Sequence, residues 1–343
     1  KAEPPGRGDP MRDWGHGEHK TWWEIIARNK QSISLNLRVA AGQDIVRRLN
    51  YVPDEAGRAM GGITEQVIGL LMSDLKPLDP SGAVYGILSG VCAACNANGI
   101  EFMLLTTDSA AQEKHPLQTL CLKKRLTGLI CSGFRFGDPY LSQLGDIDIP
   151  CAFIDMETGR PNILDVTMDN EHAAREAVSF LIKNGRRSVA LVNGFEQADV
   201  AVRRGRGYRR ALEAAGLPLL PQRILTADFE EGRAHDEAQK LLLADPAVDA
   251  FFCASDLMAL GVCRAAEELG KRVGADIAVV GFDDIPIAKY LYGGLTTVRQ
   301  DFYLMGYTAG NAIYNRIVNR EDKAVPGNMM YELVVRGSAP GKL

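Results

Sequence analysis

Short apolar segments recur along the chain, and each is followed by a small or acidic residue. Written with the residues that follow, they are VIGLLMSD (67–74), FMLLTTD (102–108), GLICSG (128–133), CAFIDM (151–156), VALVNG (189–194), AFFCASD (250–256) and AVVGFDD (278–284). Each segment is too short for a typical helix, and its composition suits a strand buried on both faces of a parallel sheet. The pattern therefore predicts seven buried parallel strands.

Amphipathic helical segments lie between these strands. NEHAAREAVSFLIKNG (170–185) places Asn170 as a plausible helix cap and Gly185 as a stop, and DLMALGVCRAAEELG (256–270) shows one apolar and one charged face. Strands that alternate with helices predict an α/β fold with doubly wound parallel sheets. Seven strands with flanking pieces suit two such sheets better than one.

The N-terminal part has a different pattern. Residues 1–20 are rich in Gly, Pro and charge, which predicts a poorly ordered tail. Residues 21–52 show helical periodicity, and residues 52–62 fit one short helix or a linker.

Polar residues stand where the predicted strands end. They are Asp283, Asp284, Asp256, Asp155, Asn193 and Ser132. In open α/β sheets, ligands bind outside the carboxyl ends of the strands. A crevice with many acceptors and few cations suits a ligand rich in hydroxyl donors, such as a sugar or a nucleoside, and suits a phosphate poorly.

Composition narrows the function classes. The net charge of −4 indicates that nucleic-acid binding, if present, comes from a local basic segment. The seven cysteines lie mostly in apolar runs and no apolar run is long enough for a membrane span, so we expect a cytoplasmic protein with reduced thiols and no membrane partner. Phosphate-loop, nucleophile-elbow and zinc-protease motifs are missing. We therefore expect no enzyme activity, cofactor or metal.

Several motifs, in order, resemble the lactose-repressor (LacI/GalR) family of bacterial transcription regulators. They are RLNYVPDEAGRAM, DVTMDNEHAAREAVSFLIKNGRRSVALVNG, RRGRGYRRALEAAGL, FFCASDLMALGVCRAAEELGKRVGADIAVVGFDD, LTTVRQDFYLMG and ELVVRGSAP. The resemblance covers almost the full chain. It implies a helix-turn-helix headpiece that reads an operator, a hinge helix and a two-subdomain effector core of the periplasmic-binding-protein-like type I fold.

The resemblance also implies effector-binding positions. Asp283 stands where the family places the effector-binding aspartate, Arg204 where an arginine clamps the effector, and Phe229 where an aromatic ring stacks on it. Ser255 and Gln300 take polar pocket positions, and Ser132 and Asp155 fall at pocket or hinge positions. The segment LDPSGAVYG (78–86) departs from the family pattern, which leaves the pocket lip undefined.

The headpiece departs further from the family pattern. TWWEIIA begins like a helix-turn-helix and NKQSISLNLRVAAGQDIVRRL ends like one, but only Arg28 stands where the recognition helix belongs. About a dozen residues are missing relative to the family pattern. The residues that remain for DNA contact are Met60, which would insert into a minor-groove step, and Arg58, Arg47 and Arg48, which would contact phosphates.

The resemblance predicts four regions. They are a disordered tail (1–20), a helix-turn-helix remnant with hinge helix (21–62), an N-terminal effector subdomain (63–165 with 299–325) and a C-terminal one (166–298 with 326–343). The first hypothesis is a homodimeric regulator, a repressor, that binds operator DNA and responds to a sugar or similar polyol. The second is a sugar-binding protein without DNA-binding activity, and the third is an enzyme on the same fold.

Overall fold

The computed structural model describes residues 2–3, 33–34, 40–48, 66–75, 81–319 and 329–342. The chain forms two compact units, Lys1–Thr64 and Glu65–Leu343, and each is described separately.

In the N-terminal unit, the described residues form a parallel strand pair and one helix. Strand Ala2–Glu3 pairs with strand Ile33–Ser34, and helix Ala40–Arg48 follows. The helical prediction for residues 21–52 therefore agrees with the structure over this helix but not at Ile33–Ser34, where two residues with β-branched or small side chains form a strand instead. The rest of the predicted tail and headpiece lies outside the described residues.

The first lobe of the larger unit is built on a five-stranded parallel sheet. Its strands are β1 (Val67–Ser73), β2 (Glu101–Thr107), β3 (Gly128–Ser132), β4 (Cys151–Ile154) and β5 (Ile163–Val166), in the order β2-β1-β3-β4-β5. Its helices are α1 (Ala83–Ala97), α2 (Ser109–Lys114), α3 (Leu117–Lys123) and α4 (Pro139–Ser142). Strands β1, β3 and β4 are buried along their whole length, as their unbroken apolar sequences predict.

The second lobe is built on a six-stranded sheet. Its strands are β6 (Val189–Asn193), β7 (Ile224–Thr226), β8 (Ala250–Cys253), β9 (Ala278–Asp283), β10 (Thr296–Arg299) and β11 (Glu332–Val334), in the order β11-β10-β9-β8-β6-β7. Its helices are α5 (Asn170–Lys183), α6 (Asp199–Ala214), α7 (Glu231–Ala244) and α8 (Asp256–Glu268). The sheet is parallel except for β11, which pairs antiparallel with β10.

The seven strands that the sequence predicts are all present, on two sheets, but the prediction that all are buried is wrong for β2, which lies at a sheet edge and has no buried residue. Four strands of the two lobes, β5, β7, β10 and β11, were not predicted, because polar or charged residues interrupt or flank their few apolar residues. No helix among the described residues combines the length and the apolar composition needed to cross a membrane.

The chain passes between the two lobes more than once. Residues 167–169 lead from β5 to α5, and Gln300 and Asp301 lead from β10 to helix α9 (Phe302–Asn319). Helix α9 returns to the first lobe and packs against α1. A Cβ atom at Gly306 of α9 would overlap the carbonyl oxygen of Ile87 on α1, so glycine allows the two backbones to approach closely.

The cysteines are free thiols, and all seven lie among the described residues. Six are buried, and Cys92 is half-buried. Burial raises the pKa of Cys95 and of Cys121 to about 11, which keeps both protonated at neutral pH. They therefore behave as small apolar core residues.

Candidate functional site

A cavity of about 620 Å³ opens where strands of both sheets end. Its volume is within the usual range for small-molecule sites. The wall includes all seven residues that the sequence predicts for an effector site: Ser132, Asp155, Arg204, Phe229, Ser255, Asp283 and Gln300. The carboxyl-end rule for parallel sheets explains why residues so far apart in sequence meet there.

Arg204 is the most constrained polar side chain of the cavity. It extends from the inner face of α6 and is only 3% exposed. Its Nε donates to Asn170 Oδ1 (2.8 Å), its Nη1 donates to the carbonyl oxygen of Ala254 (2.7 Å), and its guanidinium lies 3.6 Å from the ring centroid of Phe282. These contacts fix the guanidinium in one orientation before any ligand arrives.

Asp283 and Asp284, the two adjacent carboxylates, turn in opposite directions from the end of β9. Asp283 Oδ1 accepts a hydrogen bond from Gln300 Nε2 (2.6 Å) and lies 3.9 Å from Arg204 Nη1. Asp284 pairs instead with Arg299 Nε and Arg336 Nη1, each at 2.7 Å. The end of β9 thus places the Asp283 carboxylate in the cavity and the Asp284 carboxylate in ion pairs with Arg299 and Arg336.

Positive φ angles at both aspartates produce this divergence. Asp283 has φ 117° and Asp284 has φ 57°, in a region that favours glycine, although aspartate tolerates it better than most other residues. Burial raises the pKa of Asp284, but the two arginines outweigh that effect and lower it overall. Asp284 therefore remains ionised and stabilises the turn that presents Asp283.

Two buried oxygen atoms on cavity residues make no hydrogen bond to any part of the chain that the structure describes. They are Asp155 Oδ1 and Gln300 Oε1. Burial raises the pKa of Asp155, while Arg204 and a hydrogen bond from Thr167 act in the opposite direction. Because buried polar atoms are nearly always satisfied, both oxygens mark positions where a ligand or water donates.

Aromatic rings form another part of the wall. Phe229 has φ 60°, and its ring occupies the space where a Cβ atom at Gly194 would lie. The Phe195 ring packs beside it, with the centroids 5.8 Å apart at an interplanar angle of 57°. Phe134 and Phe302 also line the cavity. The rings provide apolar faces in the same cavity as Asp283 and Arg204.

Ser255 has a local structural role in addition to its place in the wall. It is the N-cap of α8, and its Oγ accepts from the backbone N–H of Met258 (3.3 Å). The helix N-terminus that it caps therefore faces the cavity region.

The lip of the cavity is described only in part. Residues 78–80 of the unusual segment 78–86 lie outside the described residues, whereas Ser81, Ala83 and Val84 line the cavity.

Sequence reasoning missed three residues of this site. Asn170 was predicted to cap α5, but the cap is Asp169, whose carboxylate accepts from the backbone N–H of His172 (2.8 Å). Asn170 is buried and holds Arg204. Phe195 lies two residues beyond the end of β6 and Arg135 three residues beyond the end of β3, so a search of the segments that follow strands for aromatic and cationic residues would have found them.

The predicted DNA-binding residues are only partly described. Met60 and Arg58 lie outside the described residues. Arg47 and Arg48 belong to helix Ala40–Arg48, and Arg48 is exposed. The geometry of a DNA contact therefore stays a prediction.

Two lobes with parallel sheets, enclosing a cavity at their strand ends, define a periplasmic-binding-protein-like core. A family model described as a periplasmic binding protein-like domain matches residues 178–339. The HTH-type transcriptional repressor PurR of Proteus mirabilis (strain HI4320) is 30% identical over 317 residues, which is 91% of this chain and 91% of that protein. This chain belongs to the LacI family of transcriptional regulators.

Two solved structures are similar across both lobes. The transcriptional regulator CelR–cellobiose complex superposes with a TM-score of 0.73 at 28% identity, covering 87% of this chain and 90% of that one. The Lac repressor dimer bound to operator and the anti-inducer ONPF superposes with a TM-score of 0.72 at 25% identity, covering 85% of this chain and all of that one. These relatives are regulators and not enzymes.

A second family model matches the N-terminal part of the chain. Residues 1–54 match CoA-transferase family III. The match includes Arg47 and Arg48 and overlaps the region predicted as a helix-turn-helix remnant. The larger unit, Glu65–Leu343, lies entirely outside it.

Proposed function

We propose that this chain is a transcriptional regulator whose core binds a neutral, hydroxyl-rich effector, a sugar or similar polyol, in the cavity between its lobes. The effector contacts Asp283 and Arg204, stacks on Phe229 and hydrogen-bonds with the other polar groups of the wall, which are Ser132, Asp155, Ser255 and Gln300. One observation supports the proposal most strongly. Both arginines of the cavity, Arg135 and Arg204, already have protein partners, whereas the buried atoms without partners among the described residues of the wall are the acceptor oxygens of Asp155 and Gln300.

The charges of the wall favour a neutral ligand over an anion. Among the described residues that line the cavity, the cations are Arg135 and Arg204. Arg135 is 2.9 Å from Asp74, and Arg204 is held by Asn170 and the Ala254 carbonyl group. A phosphate would compete with Asp74 and Asp283 for these two positive charges and would meet the acceptor oxygens of the wall.

The acceptors and the aromatic rings fit the two surfaces of a sugar. Hydroxyl groups donate to Asp155 Oδ1 and Gln300 Oε1, which lack partners among the described residues. The apolar C–H face of a pyranose ring packs on Phe229. Arg204, held in place by its protein contacts, donates to ring or hydroxyl oxygens of the ligand.

The subdomains that move are 63–165 with 299–325 and 166–298 with 326–343. Ligand binding selects one relative arrangement of these subdomains, and its effect is limited to its differential affinity for the two arrangements. In a two-fold dimer this change alters the spacing of the paired hinge segments. Met60 then inserts into a minor-groove step, while Arg58, Arg47 and Arg48 contact phosphates.

The relatives support this proposal. CelR is a regulator whose structure contains cellobiose, and the Lac repressor structure is a dimer bound to operator. Operator DNA, a saccharide effector and a homodimer are therefore the partners that we propose for this chain, which acts in the cytoplasm.

Isothermal titration against neutral mono- and disaccharides, sugar phosphates and nucleobases tests the effector. We expect a neutral saccharide to bind and Asp283→Ala to weaken its binding at least tenfold, the equivalent of about 1.4 kcal/mol. Asp276→Ala is the matched control, because Asp276 pairs with Arg272 far from the cavity wall. Binding of sugar phosphates alone, or an unchanged affinity in Asp283→Ala, would contradict the assignment.

One observation favours a second candidate function, a saccharide-binding protein without operator recognition. Residues 1–54 match CoA-transferase family III, and the described part of this segment contains a parallel strand pair. Selection from random duplex DNA separates the two candidates. Enrichment of a palindrome that the effector weakens or strengthens supports the regulator, whereas saccharide binding without any enrichment supports the second candidate.

A further inference from the structure

A loop of the first lobe contacts the second lobe beside the cavity. The loop follows β3 and comprises residues 133–137; its Phe136 N–H donates to the carbonyl oxygen of Gln197 (2.8 Å), in the segment that follows β6. This hydrogen bond joins the strand-end segments of the two sheets directly.

Arg135 strengthens this connection between the lobes. Its Nη2 lies 2.9 Å from Asp74 Oδ2 at the end of β1, and its guanidinium lies 4.1 Å from the ring centroid of Phe195 in the second lobe. Phe195 in turn packs on Phe229, and all four side chains line the cavity. A continuous row of side chains thus runs from Asp74 and Arg135 in the first lobe to Phe195 and Phe229 in the second, and the last two rings are called the aromatic platform below.

The loop has a rigid base. Asp138 is buried and accepts from the backbone N–H of Arg135 (3.0 Å) and from Ser109 Oγ (2.8 Å). Gly133 has φ 76°, and a Cβ atom there would lie 2.7 Å from the carbonyl oxygen of Ser73. Because the backbone is fixed in this way, the Arg135 side chain is presented to Phe195 without further ordering of the loop.

We infer that Arg135 is a positioning residue that holds the cleft closed over the ligand, through its ion pair with Asp74 and its stacking on Phe195. The inference adds a residue to the proposed effector site and rests on that proposed function for its ligand. Both contacts are partly exposed to water, with Arg135 and Asp74 side chains 33% and 35% exposed. Contacts of this kind are individually weak, so the closed arrangement can open again to release the ligand.

The charge of Asp74 has a second effect. It keeps the guanidinium on the ring face instead of leaving it free for an anionic ligand. Loss of Asp74 should therefore loosen closure and admit anions more readily, whereas loss of Arg135 should loosen closure only.

Hydrogen exchange at the Phe136 amide measures closure without any ligand. We expect exchange about tenfold faster in Arg135→Ala than in the wild type, part of the protection restored in Arg135→Lys, and no change in the exposed control Arg272→Ala. Amides inside β3 report on the first lobe itself and should keep their wild-type exchange in every variant. Equal Phe136 exchange in Arg135→Ala and wild type, or faster exchange throughout β3, would overturn the inference.

The ligand arm uses cellobiose and a panel of neutral saccharides in stopped-flow binding. With a saccharide that binds the wild type, Arg135→Ala should increase the dissociation rate about tenfold and leave the association rate within about threefold. An unchanged dissociation rate overturns the inference. If no saccharide binds the wild type, the proposed function fails, and the Phe136 exchange still decides the role of Arg135.

Discussion

Replacement of Asp284 by alanine is expected to destabilise the second lobe strongly. The Asp284 carboxylate is 3% exposed and pairs with Arg336, whose side chain is 14% exposed, and with Arg299, whose side chain is 44% exposed. Arg299 keeps its second partner, Glu332 Oε2 at 2.8 Å, so its share of the loss should be small. Arg336 keeps only the Leu295 carbonyl group among the partners that the structure describes.

The expected cost follows from the Arg336 pair. Breaking a buried ion pair by removing one partner costs about 3–5 kcal/mol, because it leaves an uncompensated buried charge. Alanine at the positive φ of this position adds about 1 kcal/mol. Denaturant unfolding followed by circular dichroism should therefore show a large drop in the transition midpoint.

Two variants separate charge from backbone effects. Asp284→Asn tolerates the same backbone and should lose less stability, and Glu237→Ala, which removes an exposed ion pair with Lys240, should change little. The pH dependence gives a further check. Because the pKa of Asp284 is lowered in the folded state, its stabilising contribution is present above the unfolded pKa and is lost as pH falls through the folded pKa. A loss below about 1 kcal/mol in Asp284→Ala at neutral pH would refute the reasoning.

Three further predictions concern packing, titration and the aromatic platform. Gly306→Ala should cost about 1–3 kcal/mol in thermal unfolding because its Cβ overlaps a helix backbone, whereas Gly232→Ala, where a Cβ atom meets nothing, should be neutral or stabilising. Burial raises the pKa of Asp256 in the folded state, so the stability that this group contributes is fully present below about pH 4 and is lost as pH rises through the folded pKa. Urea unfolding at several pH values should therefore show Asp256→Asn gaining stability relative to wild type as pH rises. A stability difference that does not change with pH would contradict this reasoning. Gly194→Ala should push the Phe229 ring aside and weaken saccharide binding about tenfold by calorimetry, and unchanged binding would show that the ring is not the platform.

The fold was predictable because parallel strands buried on both faces leave a strong sequence signal. Six of the seven predicted strands are largely apolar and buried, whereas β2 is a partly exposed edge strand that four apolar residues (Phe102–Leu105) still revealed. The strand-end rule then brings Ser132, Asp155 and Asp283 together. Strands such as β7 and β11 left no such signal, because they are short and only partly buried.

Side-chain direction was less predictable than position. Nothing in the sequence indicates that Asp283 faces the cavity and Asp284 faces away, because this depends on two positive φ angles. Asn170 was assigned to a cap by its residue type, although its neighbour Asp169 has that role and Asn170 holds Arg204. Partners such as Arg336 and Arg135 are distant in sequence, so only the folded chain reveals them.

The close contact of α9 with α1 limits how this molecule can change shape. Helices whose backbones touch through glycine cannot slide past each other without atomic overlap, so the first lobe is expected to rotate as one rigid body. In the part of the chain that the structure describes, the torsion changes then fall on residues 167–169 and 300–301. Gln300 belongs to the second of these crossings and also bonds Asp283, so a ligand at that aspartate acts directly on a rotation axis.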